Sequence, residues 1–82
     1  MAKKLRLNLV TPQKQLLTDE EVDMVVLPAL LGEIGVLPGH INTIVQLGLG
    51  ALRYKKDGKE ENFAVLGGFA EVLNDVVQVF AE

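Results

Sequence analysis

The chain has no cysteine, no serine and no tryptophan, and only one histidine, one tyrosine and three phenylalanines among 82 residues. Without cysteine there is no disulfide, no thiolate nucleophile and no Cys-based zinc or iron–sulfur site, and the composition fits a reducing compartment. Without serine a Ser/His/Asp arrangement is impossible. The serine-like hydroxyls are Thr11, Thr18 and Thr43, and His40 with Thr43 is a conceivable imidazole–hydroxyl pair. Nothing else supports it, and His40 reads as a loop cap or an interface residue.

A basic excess is also missing. Eight Lys and Arg stand against eleven Asp and Glu, for a net charge of −3. A nucleic-acid binder draws much of its affinity from phosphate neutralisation, so no nucleic-acid partner is expected. The four aromatics make no stacking platform interleaved with basic residues; Phe63 and Phe69 read as core, and Tyr54 as half exposed. No apolar run reaches the ~18 residues of a membrane-crossing helix. The Met-Ala-Lys-Lys-Leu-Arg start lacks an apolar stretch behind it, since Asn8, Pro12, Gln13 and Lys14 interrupt it. The expectation is a chain that stays where it is made. The acids at Asp19 to Asp23, and at Glu60 and Glu61, lack the spacing of a calcium loop and read as solvated turns. No phosphate-cradling glycine motif opens a helix, so neither metal nor cofactor is expected.

What the chain does have is apolar residues, 49% of it, with a mean hydropathy of +0.27. A domain this small buries only about 60–65% of its unfolded surface. Some apolar residues must therefore lie outside, and contiguous exposed apolar area marks a binding surface. The period is two. Leu5, Leu7 and Leu9 point one way and Arg6 and Asn8 the other, which predicts a half-buried strand over residues 5–10. A short strand over 14–18 follows. Asp19-Glu20-Glu21 is a polar break, residues 22–27 form a strand ending at Pro28, and a loop holds a short strand at 34–37. Further strands are predicted at 42–47, 51–55, 62–66, 69–73 and 76–81. Asp57-Gly58 is a two-residue hairpin signal, because both positions tolerate positive φ. Asn74-Asp75 marks the last hairpin. Nine or ten short strands and no helix give one all-β domain over 1–82, a flattened sandwich or small barrel.

The most specific feature is the run Gly32-Glu33-Ile34-Gly35-Val36-Leu37-Pro38-Gly39-His40. It resembles the Gly-Glu-x-Gly-x-x-Pro-Gly-His signature of the epsilon subunit of rotary ATP synthases. The resemblance continues through Val10-Thr11-Pro12, Val22-Asp23-Met24-Val25-Val26 with Pro28, Gly50-Ala51-Leu52-Arg53-Tyr54, Lys56 to Glu61, Phe63-Ala64-Val65, Gly67-Gly68-Phe69 and Val76 to Ala81. It implies two packed, roughly five-stranded antiparallel sheets. It also implies a non-catalytic rotor part that links the gamma subunit to the c ring and couples proton or sodium flow to ATP synthesis. The expected place is peripheral, on the cytoplasmic face of a bacterial inner membrane.

Carried onto this chain, the resemblance makes Leu31, Gly32, Glu33, Ile34, Pro38, Gly39 and His40 the contact region. Glu33 matches the glutamate that faces the polar loops of the c ring, and His40 the histidine near gamma. The strand from Ile41 through Leu47 supplies part of a gamma-facing surface. Asn42 stands where the family usually has proline, and Leu31 where an acid is common. Most members continue into a C-terminal helical hairpin that restrains ATP hydrolysis and in some species binds ATP. Neither property is expected of residues 1–82. A small β-barrel adaptor for an unrelated protein partner is the alternative that composition and periodicity leave standing.

Overall fold

A computed structural model describes residues 3–82. Nine strands account for most of it: β1 (Leu5–Val10), β2 (Gln15–Val22), β3 (Met24–Ala29), β4 (Gly32–Val36), β5 (Thr43–Leu47), β6 (Gly50–Lys56), β7 (Lys59–Val65), β8 (Gly68–Leu73) and β9 (Val76–Ala81). They form one continuous hydrogen-bonded sheet, ordered β2-β1-β9-β8-β5-β3-β6-β7, with β4 on the other edge of β3. The β5–β3 link is a single bridge, Ala29 to Leu47. The sheet folds over there into a five-stranded half, β2-β1-β9-β8-β5, and a four-stranded half, β4-β3-β6-β7. The body is flattened, 35 × 24 × 19 Å.

Alternation builds the core. Leu5, Leu7 and Leu9 from β1, Val77 and Val79 from β9 and Val72 from β8 point inward from one half. Val25 and Leu27 from β3, Val36 from β4 and Leu52 from β6 meet them from the other. The all-β sandwich read from the sequence is thus present, with two differences. The halves hold five and four strands. One pair, β1 with β9, is parallel, running from Arg6–Val76 to Val10–Phe80. A parallel pair needs a long connection, and here the rest of the domain is that connection.

Several boundaries also moved. Asp19-Glu20-Glu21 is no break, because β2 runs through it to Val22. Its register against β1 slips opposite Asn8, where Asp19 has a φ of 46°. Asn8 is not on the solvent side. It is buried, and its Oδ1 accepts from the backbone N–H of Asp19 at 2.9 Å. A buried amide thus satisfies the backbone that the bulge leaves unpaired. Pro28 does not end its strand. Its carbonyl accepts from Gly48 N–H at 2.8 Å, so its missing N–H lies on the same edge, beyond the last β6 partner, Arg53 opposite Val26. Proline is tolerated where no ladder bond is needed.

Candidate functional site

The run from Leu31 to His40 is not one patch. The β3–β4 turn puts Leu31 and Gly32 at one end of the sandwich, with Glu33 just inside β4. Strand β4 then crosses to the other end, about 16 Å for five residues. There Leu37 to His40 form a tight turn closed by His40 N–H to the Leu37 carbonyl at 3.0 Å. Pro38 presets one central position and Gly39, at φ 88°, takes the other, which is the type II pattern. Two bonds clamp this turn to the β8–β9 hairpin. Gly39 N–H donates to Asp75 Oδ1 at 2.7 Å, and Asn74 N–H donates to Asn42 Oδ1 at 2.9 Å. Asn42 therefore has work that a proline could not do. His40 is half-buried, its Nδ1 2.6 Å from the carbonyl oxygen of Ile41.

The end that carries Leu31 is apolar. Leu31 is 99% exposed, and Leu30, Leu49 and Leu66 stand out from the same end. Their turns are tied together by Leu30 N–H to the Gln46 carbonyl and Leu66 N–H to the Glu82 carbonyl. Glu33 lies beside this end on the outside of the four-stranded half, accepting from Arg53 Nη2 at 2.9 Å. Ile34 faces the other way and packs on the core.

A second surface was only partly anticipated. On the outside of the five-stranded half, Ile44 is 73%, Phe69 49% and Phe80 40% exposed. The rings of Phe69 and Phe80 stack across β8 and β9 with centroids 4.9 Å apart. Phe69 is therefore not core. The interior aromatic is Tyr54, 7% exposed and stacked on half-buried Phe63. Burial pushes the Tyr54 phenol up. The parity of Gly68-Phe69-Ala70-Glu71 carried the signal, since Phe69 shares a face with Glu71.

Charges gather at the end opposite the leucines. Asp23 pairs with Lys4 and accepts from Asp57 N–H at 3.1 Å, and Lys56 pairs with Glu20. These acids are tied into the corner between β2 and the β6–β7 hairpin rather than left as bare solvated turns. Among the described residues no group of three or more His, Cys, Asp or Glu is placed to hold a metal.

A family model described as the beta-sandwich domain of the ATP synthase delta/epsilon chain matches residues 4–82. The chain belongs to that family. The ATP synthase epsilon chain of Geotalea daltonii is 50% identical over 82 residues, all of this chain. That of Elusimicrobium minutum is 47% identical over 96% of it, and that of Bacillus subtilis 45% over 98%. The chain spans 58–60% of the length of these relatives. A chain in the Euglena gracilis mitochondrial ATP synthase, solved as OSCP/F1/c-ring, superposes with a TM-score of 0.90 at 32% identity, over 95% of this epsilon-type domain and 50% of that chain. A chain in the central stalk and c-ring of the Tetrahymena thermophila enzyme shares the fold, with a TM-score of 0.82 at 15% identity, over 98% of this domain and 64% of that chain.

Proposed function

We propose that this epsilon-type domain is a non-catalytic part of the central stalk of an ion-translocating ATP synthase, coupling ion flow to ATP synthesis. In this reading gamma covers the outside of the five-stranded half, reaching the His40 turn. The polar loops of the c ring meet the end that carries Leu31 and Glu33. The domain is then peripheral to the membrane, on the cytoplasmic face in a bacterium.

The observation that carries the reading is the stripe of Ile44, Phe69 and Phe80, an apolar surface on a strand face that alternation would otherwise leave polar. Separate surfaces suit a part that transmits rotation, because it must grip both neighbours at once. The expected result is a stoichiometric complex of the chain with gamma on gel filtration at micromolar concentration, lost in Phe69→Glu while the far-UV circular dichroism stays unchanged. A chain that never co-migrates with gamma sinks the reading.

A further inference from the structure

Glu33 does not meet solvent alone. Arg53, which bonds its Oε1, stands two strands away on β6. Neighbouring strands lie about 4.8 Å apart, so the arginine side chain crosses the full width of β3. It also runs diagonally, because Arg53 is level with Val26 and Gly35, whereas Glu33 is level with Pro28. The row it crosses is low. Gly35 has no positive φ to require glycine, but a Cβ there would sit 3.4 Å from Cε of Met24. Met24, Val26, Arg53 and Lys55 share one groove of about 190 Å³. Nε of Arg53 is closed off from solvent and makes no hydrogen bond to protein. The stem is therefore packed down, and the one acceptor its head engages among the described residues is Glu33.

We propose that Arg53 is a positioning residue for Glu33. It holds the carboxylate in one orientation beside the leucine end and cancels its charge. Glu33 then offers its second oxygen as a hydrogen-bond acceptor within a neutral pair, not as a free anion. This rests on the reading of Glu33 as a ring contact. That contact then needs Arg53 as much as Glu33, and it weakens as salt rises, because the exposed pair that orients the carboxylate is itself screened.

The test has two arms. In the free chain, NMR scalar couplings along the Glu33 side chain are expected to report one dominant rotamer. Arg53→Gln replaces it by averaging, and Arg53→Lys, which keeps a cation, restores it in part. In a complex reconstituted with gamma and the c ring, Arg53→Gln and Glu33→Gln each weaken association about three- to fivefold, the upper range for an exposed pair. The double substitution goes no further, as expected of two residues acting as one unit. Averaged couplings in the unsubstituted chain overturn the proposal. So does an Arg53→Gln chain that binds normally while Glu33→Gln does not. A chain that binds neither gamma nor the ring in any form overturns the stalk reading instead, and the couplings then decide the role of Arg53 by themselves.

Discussion

At Gly68 a side chain has nowhere to go. The backbone φ is 115°, and an added Cβ would lie 2.0 Å from the carbonyl oxygen of Phe80. Gly68→Ala is therefore expected to cost more than about 2 kcal/mol, combining backbone strain with displacement of β9. Urea unfolding followed by circular dichroism measures it. Gly39 is the contrast. Its φ is also positive, but nothing lies within 4 Å of a Cβ there, so only the conformational cost of about 1–2 kcal/mol applies. The loop character of Pro38-Gly39 was legible because it is local chemistry. The role of Gly68 was not, because reading a hairpin at Asn74-Asp75 does not fix the register that sets the Phe80 oxygen against Gly68. Phe69 and Tyr54 fail differently. Their faces were readable from alternation, but aromatic character placed Phe69 in the core and nearness to the hairpin placed Tyr54 half outside.

Among the elements, β1, β9 and the Asp57-Gly58 hairpin were legible, the last with φ values of 51° and 80° as its sequence requires. Strand β2 was legible only in its first half, read as 14–18, because an edge strand tolerates polar residues such as Asp19-Glu20-Glu21 on its open side. Its junction with β3 gives a pH dependence. The hydrogen bond from Lys4, helped by Asp57 N–H, holds the Asp23 carboxyl below its ordinary 3.8. The unfolded chain takes up that proton more readily than the folded one. The stabilisation is thus complete above the unfolded value and is lost as pH falls through the lower folded value. Lys4 moves the other way, raised from 10.5 chiefly by the same bond, so its contribution is lost only as pH rises through a still higher value. Thermal unfolding across a pH series should show a flatter acid limb in Asp23→Asn than in the unsubstituted chain, with the difference vanishing below the folded value of Asp23. Equal acid limbs would show that the corner contributes nothing.

For the molecule as a whole, alternation gave the class but not the closure. A parallel partnership between β1 and β9 leaves no local trace, since Arg6 and Val76 are paired although they lie far apart along the chain. The expected contact region is divided for a local reason: β4, read as a short strand at 34–37, carries the two ends of the run to opposite poles. The β1–β9 pair also sets how the domain bears load. Its strands run in the same direction, so tension applied at residue 5 and residue 81 slides one past the other. All five registered pairs, Arg6–Val76 through Val10–Phe80, then resist together instead of opening one after another like a zipper. Single-molecule pulling is expected to need a higher force across these two points than across the β6–β7 hairpin, whose antiparallel strands peel from their open end. The domain thus resists stretching along the line that joins β1 and β9 more than it resists opening of the β6–β7 hairpin.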